Sequence, residues 1–209
     1  MYIPKAFQNH DSAELIAFMR ANSFATVVSI LDGAPFASHI PLIMDVEGES
    51  LKLTGHLAKA NPHAQAFGNG ETLAIFTGPH AYISPSLYEK QESVPTWNYI
   101  AVHAYGSPVI RLLDDSPEAM EAMLSAMINT YDAGYHAQWE ELSPRYRTGM
   151  MQGIVAFEMM VTRLEGKYKL SQNRSHADQT SVAHALSQSA DPAVSGVGAA
   201  MHTNLQNEQ

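Results

Sequence analysis

The sequence contains no cysteine, so disulfide bonds, thiolate catalysis and cysteine-ligated metal sites are excluded. No apolar run approaches the roughly 18 residues that a membrane-spanning helix needs. The N-terminus also lacks the basic and then apolar regions of an export signal. Together these absences predict a soluble, cytoplasmic protein with no membrane partner.

Basic side chains are also scarce, with 12 lysines and arginines, 21 acidic residues and a formal net charge of -9. Nucleic-acid binders normally present a clustered basic face, because phosphate neutralisation supplies most of their affinity. The longest basic cluster here is the fragment Lys167-Tyr168-Lys169. The composition therefore opposes direct DNA binding, and it makes each lysine near a candidate site more noticeable.

The common enzyme motifs are missing as well. The sequence has no G-x-S-x-G elbow, no H-E-x-x-H helix, no Walker loop and no G-x-G-x-x-G. Its ten histidines include His39, His56, His63, His80 and His103, but no pair has a tight ligand spacing with a supporting carboxylate. Hydrogen bonding is therefore favoured over metal binding for these side chains.

What the sequence does contain is a series of short apolar segments separated by turn residues. Asp32-Gly33 and Glu47-Gly48 predict tight hairpin turns. Hairpin-linked antiparallel strands favour a closed or half-closed barrel, since a parallel sheet needs crossover helices between its strands. About six strands are predicted: Phe24–Leu31, Pro35–Met44, Leu51–His56, Thr72–Thr77, Tyr99–Leu113 with a bulge or bend at Gly106–Pro108, and Ile154–Val161.

Helices are predicted at the edges of this mainly β fold. A capping box at Asp11–Glu14 predicts a helix over residues 11–22. Ser116-Pro117 begins a helix with a methionine-rich face that is expected to pack on the core. Residues 1–174 are predicted to form the domain, followed by a polar extension over 175–209 with a weak helix over Asp178–Gln188.

The stretch from Thr77 to Gly106 holds aromatic, histidine and amide side chains more densely than any other part of the chain. We therefore expect it to form part of the wall of a site. Its prolines at 79, 85 and 95 predict an extended, irregular loop. Trp97, taken alone, is expected in the core.

The segment Leu53–Asn61 has a strand end, a glycine, a hydroxyl and Lys59 ahead of a short helix predicted over His63–Phe67. Backbone N–H groups at a helix N-terminus, together with a lysine, suit a phosphate. An exposed lysine after a strand is more often only solvated, so both interpretations stay open. A second concentration of cations lies between Arg163 and Arg174.

Six motifs follow one another along residues 1–175. They are His39–Pro41, Gly55–Pro62, Gly78–Pro85, Val94–Tyr99, Val102–Gly106 and Arg163–Asn173. Long motifs in series are far more specific than any one of them. Together these motifs resemble the PaiB family of FMN-binding proteins, whose family label is negative transcriptional regulator.

The resemblance implies an FMN-binding split β-barrel of the type shared with pyridoxamine-phosphate oxidases and flavin reductases, in a homodimer with FMN at the interface. No residue is an evident acid or base, so we assign no catalytic residue, and the histidine spacing predicts no metal site. Tyr168 stands where the resemblance leads us to expect tryptophan, a change that keeps an aromatic face.

The resemblance also implies which residues contact FMN. Ser38, His39, Ile40 and Pro41 would lie along the isoalloxazine ring, with their backbone at its polar edge. The phosphate end would be held by Thr54, Gly55, His56, Lys59 and Asn61. The pocket would be completed, in part from the partner subunit, by Trp97, Asn98, His103, Lys167, Lys169, Ser171, Gln172 and Asn173.

Three functions stay open at this point. The first is a flavin-dependent sensor or regulator involved in negative transcriptional regulation. The second is a regulator that contacts DNA directly, which the acidic charge opposes. The third is a flavin- or haem-directed oxidoreductase that uses bound FMN with NADH or NADPH as electron donor, so whether the protein is an enzyme is also open.

Overall fold

The computed structural model describes residues 1–111 and 116–207. Within these residues the strands are β1 Gln8–Asn9, β2 Phe24–Leu31, β3 Ala34–Pro41, β4 Ile43–Glu47, β5 Ser50–Ala58, β6 Thr72–Ile83, β7 Thr96–Arg111 and β8 Ile154–Lys169. The α-helices are α1 Ser12–Ala21, α2 Pro117–Tyr131, α3 His136–Glu141, α4 Pro144–Met151, α5 His176–Ser187 and α6 Pro192–Asn207. Short 3₁₀ helices lie at Lys5–Phe7, Pro62–Ala66, Pro85–Leu87 and Ala133–Tyr135.

The described strands form one eight-stranded, mainly antiparallel sheet in the order β3-β2-β6-β7-β8-β5-β4, and β1 pairs with β8. The predicted β fold with flanking helices is therefore confirmed. The Asp32-Gly33 hairpin is also confirmed, because both residues have the positive φ angles, 51° and 79°, that a tight turn between β2 and β3 requires. No helix in the described ranges is long and apolar enough to cross a membrane.

The strand boundaries required several corrections. The segment Pro35–Met44 forms two strands, which are separated at Leu42, where the backbone N–H donates to the Ser23 carbonyl at 2.9 Å. The two-residue strand β1 carries no periodic signal, and the sequence did not predict it. β7 runs through Gly106 without interruption. At this position the strand lies so close to the Met160 carbonyl oxygen that any side chain would collide with it, and only glycine permits this approach. The predicted end of β7 at Leu113 lies outside the described residues.

The prediction of one irregular loop after Thr77 was wrong in extent. β6 continues through Pro79 to Ile83, and β7 already begins at Thr96. Between them lie the 3₁₀ helix at Pro85–Leu87 and a short irregular connection. The prolines were wrongly interpreted as the start of a loop. Proline lacks an N–H donor, but a strand can continue through it where that donor has no partner strand.

The described chain divides into two compact units. The first comprises Met1–Phe18, Phe76–His103 and Glu165–Gln209, and the second comprises Met19–Ile75 and Ala104–Leu164. In the second unit the methionine-rich face of α2 packs as predicted, with Met120 and Met123 buried against Met151 and Ala156.

The residues after Ser175 contribute to the core of the first unit. α5 confirms the helix predicted near Asp178–Gln188, whereas α6 was not predicted. The buried side chains Val182 and Leu186 of α5 and Val197, Met201 and Leu205 of α6 share one cluster with residues of β6 and β7. The division of the chain at residue 174 remains a prediction.

Candidate functional site

Ser38 and Asn61 are joined by a buried hydrogen-bond network in the second unit. Asn61 Nδ2 donates to Ser38 Oγ at 3.1 Å, and His63 Nδ1 lies 2.9 Å from the same oxygen. His63 Nε2 lies 3.0 Å from Ser29 Oγ, which is 2.7 Å from the Thr72 hydroxyl. Burial lowers the pKa of His63, which is fully buried, so the ring is neutral and uses one nitrogen as donor and the other as acceptor. The network fixes β3 relative to the segment after β5.

β3 has a free backbone edge in the described sheet. It stands at one end of the strand order, so one side of its backbone has no neighbouring strand in the described sheet. The Ser38 hydroxyl points into the network, and Ile40 is buried. His39 is exposed, with Nδ1 3.0 Å from the Thr26 hydroxyl. Pro41 is half-buried at the end of the strand. This arrangement fits the predicted use of the β3 backbone.

Thr54 and His56 present unused hydrogen-bonding groups on one face of β5. Thr54 Oγ1 and His56 Nδ1 are buried, and no described residue forms a hydrogen bond with either atom. Burial lowers the pKa of His56, which keeps its ring neutral. A buried polar group without a partner costs about 1–3 kcal/mol, so this pair fits a site whose ligand supplies the missing partners.

Gly55 lies on the opposite face of β5, where it has a packing role. A Cβ atom at this position would lie 2.8 Å from Leu42 Cδ2 and 3.2 Å from the Phe157 ring. The glycine therefore lets the core close over β5. The contact of Gly55 with the phosphate, which the resemblance implies, stays a prediction.

Lys59 is exposed just after β5, and its backbone N–H donates to the Gly153 carbonyl at 2.8 Å. The helix that follows is a five-residue 3₁₀ helix, Pro62–Ala66, which is too short to build up a macrodipole. The Asn61 side chain already accepts from the His63 N–H at 3.0 Å. The helix terminus therefore offers less to a phosphate than a longer helix would, and the phosphate site at Lys59 stays a prediction.

Trp97 belongs to an exposed aromatic cluster in the first unit. Its side chain is 53% exposed, so the expectation that it lies in the core was wrong. Its ring centroid lies 6.2 Å from that of His80 and 6.0 Å from that of Tyr82, in an edge-on arrangement with Tyr82. Neighbouring aromatic side chains of adjacent strands thus present an open face, which suits a planar ligand or a protein partner.

Asn98, Lys169 and Ser171 come together around a cavity of about 200 Å³, which Asn173 also lines. Asn98 is fully buried and donates through Nδ2 to Ser171 Oγ at 2.8 Å, while its Oδ1 atom has no partner among the described residues. Lys169 Nζ donates to the Trp97 carbonyl at 2.7 Å. Burial, and then the neighbouring charge of Lys167, lower the pKa of Lys169.

Lys167 and Gln172 are used by the fold itself. Lys167 is 8% exposed, and its Nζ donates to the Tyr2 carbonyl at 3.1 Å. Gln172 accepts from the Leu170 N–H at 2.7 Å and donates to the Tyr168 carbonyl at 2.6 Å, which shapes the turn after β8. His103 is half-buried on β7. The predicted residues thus form two groups, one in each unit.

A larger cavity of about 530 Å³ lies in the first unit between α1, α6 and the end of β8, and no lysine or arginine lines it. Tyr168 is part of its wall and packs on Phe18 with ring centroids 5.9 Å apart. Burial, followed by the charges of Glu14 and Asp11, raises the pKa of Tyr168, so the phenol stays protonated at neutral pH. The cavity does not suit a phosphate. Over the described residues no cluster of three or more histidine, aspartate or glutamate side chains is placed to hold a metal ion.

A family model described as "Putative FMN-binding domain" matches residues 1–163. The chain belongs to this family. It is 37% identical over 209 residues, which is all of both chains, to the "Protease synthase and sporulation protein PAI 2" of Bacillus subtilis. The resemblance to the PaiB family is therefore confirmed.

Comparison with solved structures supports the same fold. The flavocytochrome Anf3 of Azotobacter vinelandii matches 80% of this chain and 72% of its own, with a TM-score of 0.60 and 14% identity. An FAD- and haem-binding protein of Mycobacterium smegmatis matches 82% of this chain and 78% of its own, with a TM-score of 0.60 and 16% identity. These likenesses identify the fold as the predicted split barrel.

Proposed function

We propose that this protein is an FMN-binding homodimer of the PaiB type, in which the bound flavin serves a sensor or regulator involved in negative transcriptional regulation. The observation that carries the proposal is the pair of unpartnered buried atoms, Thr54 Oγ1 and His56 Nδ1. They lie on β5, within the part of the chain that matches the FMN-binding family. A flavin offers carbonyl, ring N–H, hydroxyl and phosphate groups that would complete these hydrogen bonds.

The residues present fit FMN at several points. The free edge of β3 offers backbone donors and acceptors to the polar edge of the ring, and the network through His63 holds that strand in place. Lys59 supplies positive charge for the phosphate. FMN would supply redox chemistry when it is bound, and the protein would supply position and electrostatics. We assign no acid or base at the site.

The homodimer is proposed on three grounds. The resemblance implies flavin at a subunit interface, the Trp97 cluster is an exposed aromatic face, and β3 has a free edge. Light scattering coupled to size-exclusion chromatography tests this part, because it measures the mass in solution independently of shape. A mass of twice 22.8 kDa is expected, and a monomer at micromolar concentration contradicts the dimer.

The absorption spectrum of the purified protein tests the flavin directly. The protein should be yellow, or should become yellow after incubation with FMN and gel filtration. Lys59→Ala should weaken FMN binding about tenfold, since a charge-assisted hydrogen bond to phosphate contributes roughly 1.5–3 kcal/mol. Lys90→Ala is the matched control, because it removes another exposed lysine in a loop. A purified protein that has no flavin absorbance and does not bind added FMN would contradict the proposal.

We expect the regulation to act without direct DNA contact, because the formal net charge is -9. A mobility-shift assay with the purified protein and promoter fragments at low salt should show no complex. A sequence-specific complex that dissociates as salt is added would instead establish a DNA-binding regulator.

The second candidate is a flavin- or haem-directed oxidoreductase. The observation in its favour is the exposed face of His80, Tyr82 and Trp97, which offers stacking surfaces and an imidazole to a planar ligand. The names of the two similar structures, a flavocytochrome and an FAD- and haem-binding protein, point the same way. Stopped-flow mixing of the FMN-loaded protein with NADH or NADPH discriminates between the two functions. Rapid loss of the absorbance of oxidised FMN favours the oxidoreductase, and unchanged absorbance with both donors favours the sensor.

A further inference from the structure

The cavity of about 200 Å³ beside the turn after β8 is lined by two cations, Lys169 and Arg174, and by no aspartate or glutamate. Positive charge without a lining carboxylate is unusual in a chain with a formal net charge of -9. Burial, and then the neighbouring charge of Lys167, lower the pKa of Lys169. The cavity is therefore electrostatically complementary to an anion.

Both cations keep N–H groups available for such an anion. The Arg174 guanidinium lies over the Tyr88 ring, with Cζ 4.1 Å from the ring centroid. Within the described chain it forms no salt bridge with an acidic side chain. Stacking on a ring leaves the guanidinium edge free for a bidentate contact with an oxyanion. Lys169 donates to the Thr96 hydroxyl and the Trp97 carbonyl, which leaves a third N–H.

Two buried polar atoms at the cavity also lack partners. Asn98 is fully buried and commits its Nδ2 to Ser171, but no described group donates to its Oδ1 atom. Tyr88 is 8% exposed, and its hydroxyl has no partner in the described chain either. Ser171 adopts a φ of 67°, which glycine would adopt with less strain. The serine is nevertheless needed here, because its hydroxyl accepts the hydrogen bond from Asn98. The cavity thus presents donors and one acceptor to a ligand.

We propose that this cavity binds a phosphate group that keeps one proton. Arg174, Lys169 and the Tyr88 hydroxyl donate to its charged oxygens, and Asn98 Oδ1 accepts from its O–H group. Sulfate has the same size and charge but carries no proton at neutral pH, so it would leave Asn98 Oδ1 without a partner. The phosphate is either inorganic phosphate, which keeps a proton as the dianion, or the phosphate of the flavin, which keeps a proton only as the monoanion. The proposal goes beyond the flavin site, because it assigns ligand contacts to Tyr88 and Arg174.

Equilibrium dialysis of the full-length, flavin-free protein against radiolabelled inorganic phosphate tests the proposal. Arg174→Gln should raise the Kd about tenfold, which is the effect of losing a charge-assisted hydrogen bond. Arg145→Gln removes an exposed arginine elsewhere and should leave the Kd unchanged. Equal effects of the two arginine variants, or equal competition by sulfate and unlabelled phosphate, would overturn the proposal.

Tyr88→Phe keeps the ring under Arg174 and removes only the hydroxyl. Because that hydroxyl has no protein partner, the variant should fold with an unchanged or higher melting temperature, while the phosphate Kd rises about threefold. An unchanged Kd in a folded Tyr88→Phe protein contradicts the proposed contact. This variant decides the question even if Arg174→Gln fails to fold.

A second dialysis series, with saturating FMN or riboflavin present, identifies the source of the phosphate. If FMN displaces the labelled phosphate and riboflavin does not, the phosphate group of FMN binds in this cavity. In that case it does not bind at Thr54 and Lys59. An unchanged phosphate Kd in the FMN-loaded protein assigns a separate ligand, and both results support the phosphate site. If the protein takes up no flavin, the proposed function fails, and the first dialysis series still decides for or against this cavity.

Discussion

At the residue scale, buried polar groups in this chain are of two kinds. His63 uses both ring nitrogens inside the protein, between Ser38 and Ser29, and its role is to position β3. Thr54 and His56 bury polar atoms that the described protein does not satisfy. Nearly all buried polar groups in folded proteins are hydrogen-bonded, so the second kind is where a bound ligand would complete the hydrogen bonding. The first kind positions the strand beside it.

His63 should make stability depend on pH. Burial lowers its pKa below the ordinary value of 6.5, so the unfolded chain binds more protons than the folded one as the pH falls through 6.5. The free energy of unfolding is therefore highest above that value and decreases on acidification. His56 contributes with the same sign, because burial lowers its pKa too. Urea titrations of His63→Gln between about pH 7 and pH 5 should show a smaller decrease than in the wild type.

The control for this experiment is His202→Gln, which removes an exposed histidine on α6. Its pH dependence should match that of the wild type. His63→Gln should also be about 1–3 kcal/mol less stable at neutral pH, because Ser29 and Ser38 lose part of their hydrogen bonding. Parallel pH profiles for His63→Gln and the wild type would show that His63 does not carry the effect.

A substitution at Thr54 distinguishes a role in ligand binding from a role in stability. Thr54→Val removes a hydroxyl that has no protein partner, so the flavin-free protein should be as stable as the wild type or more stable. FMN affinity should fall about tenfold if the hydroxyl binds the phosphate. Fluorescence titration and urea denaturation measure the two quantities, with the exposed Thr148→Val as control. Unchanged FMN affinity would remove Thr54 from the site.

The sequence could indicate these residues only in part. The motif series placed Thr54, His56 and Asn98 in a pocket, and the structure finds an unsatisfied buried atom on each of them. For His63 the sequence favoured hydrogen bonding, which is confirmed, but it did not give the partners, because spacing along the chain does not show that β2, β3 and the 3₁₀ helix converge on one ring. Nor could composition show that Lys167 would be buried under Tyr2, since that contact joins distant parts of the chain.

At the element scale, strands were easier to predict than their lengths. Alternating apolar residues located β2 and β5, but β6 and β8 extend well beyond the apolar segments that revealed them. α6 was missed because Gly196 and Gly198, which have low helix propensity, interrupt its sequence. Two features could have predicted α6. Val194, Val197, Met201 and Leu205 are spaced as on one face of a helix, and Asp191 is an N-cap residue followed by a proline.

Gly198 should be required for the packing of α6 on α5. A Cβ atom there would lie 2.6 Å from the Ser187 backbone nitrogen and 3.0 Å from the Ala183 carbonyl oxygen. We expect Gly198→Ala to destabilise the protein by about 1–3 kcal/mol through overpacking. Gly149→Ala in α4 meets nothing within 4 Å and should stabilise by about 0.5–1 kcal/mol through helix propensity. Thermal denaturation measures both, and a stabilised Gly198→Ala protein would show that α5 and α6 are not closely packed.

At the scale of the whole molecule, the fold was predictable because tight turns and antiparallel pairing constrain it locally. The ligand was not predictable from composition or periodicity, and only the resemblance named it. The family match and the 37% identity over the full chain establish the relationship. The unpartnered atoms of Thr54, His56 and Asn98 give that relationship a physical basis in this chain.

Flavin fluorescence during titration of FMN with the purified protein tests the central claim most directly. Binding in a polar, partly buried site beside aromatic side chains should change the fluorescence of FMN, and the change should saturate at one FMN per chain. Riboflavin should bind more weakly, because it lacks the phosphate group that we propose Lys59 binds. Fluorescence that stays equal to that of free FMN, with no flavin retained on gel filtration, would contradict the claim that this chain binds FMN.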